Sequence, residues 1–140
     1  MRCVHCFRPR CICASIPSIK NETAILILQH RRERFHRFNS ARLVQRALEN
    51  SQLVAGYPCD FTLDRLRLMS DVGVLFPSQH ARNLEDLSPA ERPQQLVILD
   101  GTWHHAKTFV RDIPWLSQIC LLYTSPSPRD ATLSRMPSSA

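Results

Sequence analysis

The chain predicts an α/β domain built on a mostly parallel sheet, and three observations carry that prediction. Short continuous apolar runs recur at Thr23–His30 (TAILILQH), Gly73–Phe76 (GVLF) and Gln95–Leu99 (QLVIL), as expected of strands buried on both faces. Runs of this kind alternate with helical patterns or helix-start residues, giving three βα-like units. Gly101 falls directly after the third run, where open α/β sheets place a ligand-binding turn.

Taken in order, residues 1–21 carry Cys, Arg and Pro without a steady period and read as a loop-rich knuckle. Thr23–His30 is the first strand. Asn39 or Ser40 is placed to cap a helix running to about Asn50, with Leu43, Val44, Ala47 and Leu48 as its buried stripe and Arg42 and Arg46 facing solvent. Gly56 and Gly73 are expected at turns. Gly73–Phe76 forms a second strand stopped by Pro77, Ser78 caps a short helix to Leu84, and Ser88-Pro89-Ala90-Glu91 reads as a helix start. Gln95–Leu99 is the third strand, Thr102 caps a helix to about Val110, and Ile119–Leu122 opens a fourth strand. Residues 124–140 hold five serines and three prolines with a single leucine, too little apolar surface to offset the entropy of ordering. The expected organisation is therefore a knuckle over 1–21, an α/β domain over 22–123 and a disordered tail over 124–140.

Composition narrows the function. The formal net charge is +6, and sixteen of the eighteen basic residues are arginine, Lys20 and Lys107 being the two lysines. Guanidinium forks suit phosphates and stacked bases, although an anionic membrane surface or an acidic protein would also attract them. No apolar run is long enough to span a bilayer, so no membrane span is expected. Six cysteines behind a start that is no signal peptide point to a reducing, cytoplasmic setting. The sequence sets no oligomeric state.

Three constellations can carry chemistry. Cys3, Cys6, Cys11 and Cys13 lie within eleven residues and can close around one tetrahedral zinc ion, with His5 able to replace one of them. The alternative is a set of reduced surface thiols or one disulfide. Cys59 and Cys120 are isolated and read as core thiols. The second constellation is Leu99-Asp100-Gly101-Thr102-Trp103. It sets a carboxylate and uncapped backbone N–H groups at one crevice, with Asp100 as a base or an orienting group and Trp103 as a stacking surface. The alternative is an ordinary strand-to-helix turn with Trp103 in the core. His104 and His105 read as a solvated helix face. The third runs from Gln29 to Ser40 and interleaves Arg31, Arg32, Arg34 and Arg37 with Phe35 and Phe38, as an RNA surface would. The alternative is a solvated loop with its phenylalanines turned inward.

These motifs occur in the order seen in DTW-domain proteins, and the chain resembles the tRNA-uridine aminocarboxypropyltransferases over roughly residues 3–123. The resemblance rests on the cysteine set, on Gln29, His30, Glu33, Asn39 and Ser40, on Leu75-Phe76-Pro77-Ser78, and on Asp100-Gly101-Thr102-Trp103 followed by Ala106, Lys107 and Arg111. It implies a SPOUT-like parallel sheet, incomplete here, with an N-terminal zinc knuckle. It also implies transfer of the 3-amino-3-carboxypropyl group of S-adenosylmethionine to N3 of a tRNA uridine. Asp100, Thr102 and Trp103 would then be catalytic, and Phe76, Pro77, Ser78, Gly101, Asn39 and Ser40 would line the S-adenosylmethionine site, with His30 and Glu33 facing it. Arg31, Arg32, Arg34, Arg37 and Lys107 would contact tRNA, and structural zinc would sit on Cys3, Cys6, Cys11 and Cys13. Arg31 stands where the family often has proline, and Ser40 where it has threonine.

The family's later Arg-x-Glu-like and Ser-Thr-x-Glu-Ala-like segments have no counterpart, and 124–140 resembles a translated cloning adapter. The expectation is a C-terminally truncated transferase that lacks activity by itself. The alternatives are a non-catalytic zinc-knuckle module that binds RNA, or an S-adenosylmethionine-dependent RNA methyltransferase.

Overall fold

A computed structural model describes residues 3–6, 8–35, 40–76 and 81–123, the side chains of Cys120 and Tyr123 excepted. Its elements are strand β1 (Ala24–His30), helix α1 (Ala41–Ala47), and strands β2 (Ser51–Gly56), β3 (Val72–Leu75), β4 (Arg82–Asn83) and β5 (Gln95–Asp100). Helix α2 (Trp103–Asp112) and strand β6 (Cys120–Tyr123) follow, and short 3-10 turns join several of these. All pairings are parallel, in the order β2-β1-β5-β3-β6-β4. The α/β class with a parallel sheet is as expected.

The register explains the apolar runs. Leu26, Leu28, Val74 and Val97 point to one face of the sheet, where they pack with Phe61, Leu66, Phe109, Ile113, Trp115 and Leu116. The Trp115 indole N–H in that core donates to the Phe61 carbonyl at 2.8 Å, so a large aromatic is buried without stranding its polar atom. Leu96 and Leu122 point to the other face, with Ile25, Leu75, Leu84 and Leu87. A strand covered on both sides has to be apolar at every position, which is why Ala24–Leu28 shows no alternation.

The chain leaves β1 toward β2 in one direction and leaves β5 toward β6 in the other. The order therefore reverses between β1 and β5, the point at which open parallel sheets place a ligand crevice, outside the carboxyl ends of the strands.

Several expectations change. Helix α1 stops at Ala47, short of Asn50, because Ser51 Oγ lies 2.9 Å from the Gln45 carbonyl and 2.8 Å from the Leu48 carbonyl. The residues after it form β2, an edge strand whose apolar side chains are half-buried. Ser40 holds the N-cap position without a side-chain capping bond. Ala41 is buried in place of Val44, which is exposed, and Arg42 is half-buried instead of facing solvent. Gly73 lies inside β3, not at a turn.

The short helix expected from Ser78 to Leu84 is replaced, among the described residues, by β4 and a 3-10 turn at Leu84–Asp86. There Asn83 Oδ1 accepts the Glu85 N–H at 3.1 Å. Ser88–Glu91 is a closed turn and not a helix start, since the Ser88 hydroxyl and carbonyl are both used by Glu91 and Pro93 follows. Cys59 is exposed, not a core thiol. Asn39, Pro77, Ser78, Arg37, Phe38 and the tail over 124–140 lie outside the described residues. No helix among the described residues is long and apolar enough to cross a membrane.

Candidate active site and metal centre

The crevice between β1 and β5 is built by two adjacent strand ends and the turn that follows β5. Gln29 pairs with Asp100 in the β1–β5 register, and its Nε2 donates to Asp100 Oδ2 at 3.0 Å. Gln29 is fully buried. A fully buried amide donating to a half-buried carboxylate holds one of its oxygens in place at the carboxyl end of β5.

Beyond Asp100 the chain turns at Gly101 into α2. Thr102 caps the helix as expected: its Oγ1 accepts the His105 N–H at 3.2 Å, and His105 Nδ1 accepts the Thr102 N–H at 3.2 Å. This reciprocal box folds His105 back over the turn. A Cβ at Gly101 would lie 2.7 Å from the His105 Cβ, so glycine is required there by a close approach. Gly101→Ala should therefore open the turn and cost about 1–3 kcal/mol, read by denaturant unfolding, but should add little further cost in a His105→Gly background.

His105 consequently leaves the solvated face expected for it, whereas His104 stays exposed. The His105 ring stacks on His30 at the end of β1, with centroids 3.6 Å apart and planes 5° apart. Tyr57 meets His30 edge-on at 5.4 Å, and Phe109 lies behind it at 5.7 Å. His30 Nδ1 accepts the Arg32 N–H at 3.2 Å, which places the proton of the neutral ring on Nε2.

Burial, and then the charges of His105, Arg32 and His104, pull His30 below its ordinary value of 6.5. The unfolded chain then binds a proton that the folded chain refuses. Stability is unaffected by His30 above 6.5 and falls as pH drops below it. Thermal unfolding followed from about pH 7.5 to about pH 5 should show this loss, and His30→Phe should flatten it.

The β3 side of the crevice is aromatic. Trp103, the first residue of α2, stacks on Phe76 with centroids 5.3 Å apart and planes 5° apart. Trp103 Nε1 is buried and meets no acceptor among the described residues. A buried indole N–H without an acceptor beside a flat aromatic wall fits a ligand that brings both a ring and a lone pair.

The basic segment follows β1. Arg31, Arg32 and Arg34 are exposed, Lys107 is half-buried on α2, and Glu33 is half-buried in the 3-10 turn Arg31–Glu33. Phe35 is 61% exposed rather than turned inward, and the Arg34 guanidinium lies 5.0 Å over its ring.

At the other end of the chain, the four sulfurs of Cys3, Cys6, Cys11 and Cys13 all lie within 4.8 Å of one another. Tetrahedral zinc with Zn–S bonds of about 2.3 Å needs sulfurs separated by about 3.8 Å, so the set closes around that ion with shifts of about 1 Å or less. Backbone N–H groups of Cys6 and His5 pull the Cys3 thiol down to about 6. Burial and the neighbouring thiols push Cys13 up to about 12. The set thus pairs a readily ionised Cys3 thiol with a Cys13 thiol that a bound cation would have to deprotonate. His5 contributes its backbone N–H to Cys3 Sγ, at 3.4 Å, and not its ring.

The model of the DTW domain matches residues 1–135. The chain belongs to the DTW-domain family. Among curated relatives, the tRNA-uridine aminocarboxypropyltransferase 2 of Drosophila melanogaster is 29% identical over 129 residues, covering 84% of this chain and 51% of that protein. The protein of the same name from Macaca fascicularis is 28% identical over 117 residues, covering 75% of this chain and 39% of that one. The tRNA-uridine aminocarboxypropyltransferase A of Arabidopsis thaliana is 27% identical over 135 residues, covering 78% and 50%. The chain thus spans about half the length of these relatives or less. No solved structure matches it significantly.

In this DTW domain the segment that carries the name stands at the switch point. Asp100, Gly101, Thr102, Trp103 and Phe76 are brought to one crevice, while Ser40 begins α1 on the β2 side. Gln29, Tyr57 and His105 complete the site, and sequence reasoning gave none of them this role. The signal available for Gln29 was a polar residue inside an otherwise apolar buried run. The stack on His30 had no such signal, because it depends on the capping box closing over Gly101.

Proposed function

We propose that the protein is a tRNA-uridine aminocarboxypropyltransferase, moving the 3-amino-3-carboxypropyl group of S-adenosylmethionine to uridine N3. The observation that supports this most is a buried indole N–H with no acceptor among the described residues and an aromatic wall beside a strand-end carboxylate, in a family whose named relatives are such transferases.

The chemistry asks for three things. Uridine N3 is a poor nucleophile until its proton leaves, and Asp100 takes that proton at the crevice mouth. N3 then forms a bond to the γ-carbon of the donor's sulfonium side chain as the carbon–sulfur bond breaks, and neutral methylthioadenosine departs. The donor has to be held so that this carbon, and not the methyl group, faces N3. Phe76 and Trp103, with Pro77, Ser78, Gly101, Asn39 and Ser40, are the residues assigned to hold it, and Thr102 fixes the turn that aims Asp100. Arg31, Arg32, Arg34, Arg37 and Lys107 are assigned to tRNA, and any zinc on the four cysteines is structural and takes no part in the transfer.

Equilibrium binding tests the reading on this chain. S-adenosylmethionine and tRNA should both bind, and Trp103→Phe, which keeps the ring and removes the N–H, should weaken the former alone by about tenfold. Binding of tRNA with no binding of S-adenosylmethionine would return the non-catalytic RNA module.

A further inference from the structure

A second recess lies on the β2 side of the same sheet edge. It is a cavity of about 410 Å³ lined by Gln29, Arg34, Arg42, Gln45, Leu53, Val54 and Ala55. Its polar walls come from three separate elements: Gln29 from β1, Arg34 from the turn after β1, and Arg42 and Gln45 from α1. Arg42 is held from behind, where its Nη1 reaches the His5 carbonyl at 3.5 Å and so ties the cysteine knuckle to the cavity wall. Two arginines that line one open cavity repel each other, and an anion seated there relieves that repulsion. Consistent with this, burial and then the charge of Arg34 lower the affinity of Arg42 for its proton.

The position of the recess selects the anion. The aromatic wall of Phe76 and Trp103 lies toward β3, on the far side of β5, and in the proposed reaction it takes the sulfonium donor. Ser40, assigned to the donor, begins α1 on the β2 side but is not among the residues that line the recess, so the recess itself is left for the other reactant. Gln29 lines the recess and also donates to Asp100, so the recess and the carboxylate are one hydrogen bond apart. We infer that this recess is a phosphate subsite, seating one nucleotide of the RNA strand through its phosphodiester between Arg34 and Arg42. The inference rests on the proposed transferase reading and extends it to a specific place for the strand. Its size is that of a nucleotide and well above that of a bare phosphate ion.

Calorimetric titration of this chain with uridine 5′-monophosphate, and with uridine, tests the subsite. The monophosphate should bind at least about tenfold tighter, and a short oligouridylate tighter again. Arg34→Gln and Arg42→Gln should each weaken the monophosphate by about tenfold and lower the salt dependence of oligouridylate binding by about 0.7 in log–log slope. Gln45→Glu, which places a carboxylate in the wall without touching the knuckle, should weaken it likewise while leaving the circular dichroism spectrum unchanged.

Equal binding of uridine and its monophosphate, unchanged affinity in the three variants, or displacement of the monophosphate by S-adenosylmethionine would overturn the subsite. Gel-shift binding of whole tRNA separates this from the broader reading. If tRNA binds but the variants are indifferent to the monophosphate, the subsite fails and the tRNA reading stands. If the variants lose the monophosphate in a chain that never binds tRNA, the subsite stands and the tRNA reading fails.

Discussion

Asp100→Asn in the complete protein should lower the rate of aminocarboxypropyl transfer by about 10²–10⁴-fold, the usual worth of a positioned general base. Binding of tRNA should remain within about twofold of the unaltered protein, because the change removes a proton acceptor and not a phosphate contact. The substitution is close to neutral structurally. An asparagine oxygen can still accept the Gln29 Nε2 hydrogen bond, and the residue remains the last of β5. Substrate binding that collapses together with activity would instead mark Asp100 as part of the scaffold, and unaltered kcat would remove it from the mechanism.

Loss of zinc is the second large effect. Cys6 is buried, and the segment that carries it is fastened to α1 at several points. Arg42 holds the His5 carbonyl, the Ile19 N–H donates to the Ala47 carbonyl at 2.7 Å, and the Glu49 N–H donates to the Ile19 carbonyl at 3.0 Å. A knuckle released by its metal therefore loosens the helix that walls the phosphate recess. Gently purified protein should carry about one zinc per chain, bound on the order of nanomolar or tighter. Chelation or Cys6→Ser should lower the unfolding temperature by several degrees.

Loading should fall as the solution is acidified, since the ligands bind as thiolates and protons compete for them. Metal analysis across pH, alongside thermal unfolding, checks both statements. An absence of metal, with Cys6→Ser unfolding at the same temperature as the parent, would reduce the cluster to a group of surface thiols.

How much of this was legible beforehand differs by element, for physical reasons. β1, β3 and β5 announce themselves because a central parallel strand must be apolar throughout, and their observed bounds differ from the expected ones by one residue, at one end for β1 and β5 and at both ends for β3. α2 was legible because Thr102 is a capping residue ahead of a periodic apolar face, and the structure uses it in that way. β2 and β4 were not, since edge strands such as SQLVAG and Arg82–Asn83 gain their form from pairing with a neighbour and not from their own propensity.

The site divides along the same line. The carboxylate at a strand end, followed by a glycine and a capping threonine, is a local pattern that can be read. The Gln29–Asp100 contact spans 71 positions, the His30–His105 stack joins residues still further apart in sequence, and both exist only once β1 and β5 are neighbours. Arg42 was misplaced for the same reason. Helical periodicity set it on the outer face of α1, whereas the knuckle folds back to bury it.

The most direct measurement of the central claim is the identity of the nucleoside formed when the complete protein is incubated with tRNA and S-adenosylmethionine, followed by digestion and mass spectrometry. The account predicts uridine carrying a 3-amino-3-carboxypropyl group on N3, with one methylthioadenosine released for each group transferred. A methylated nucleoside accompanied by S-adenosylhomocysteine, or tRNA that is bound and returned unmodified, would contradict it.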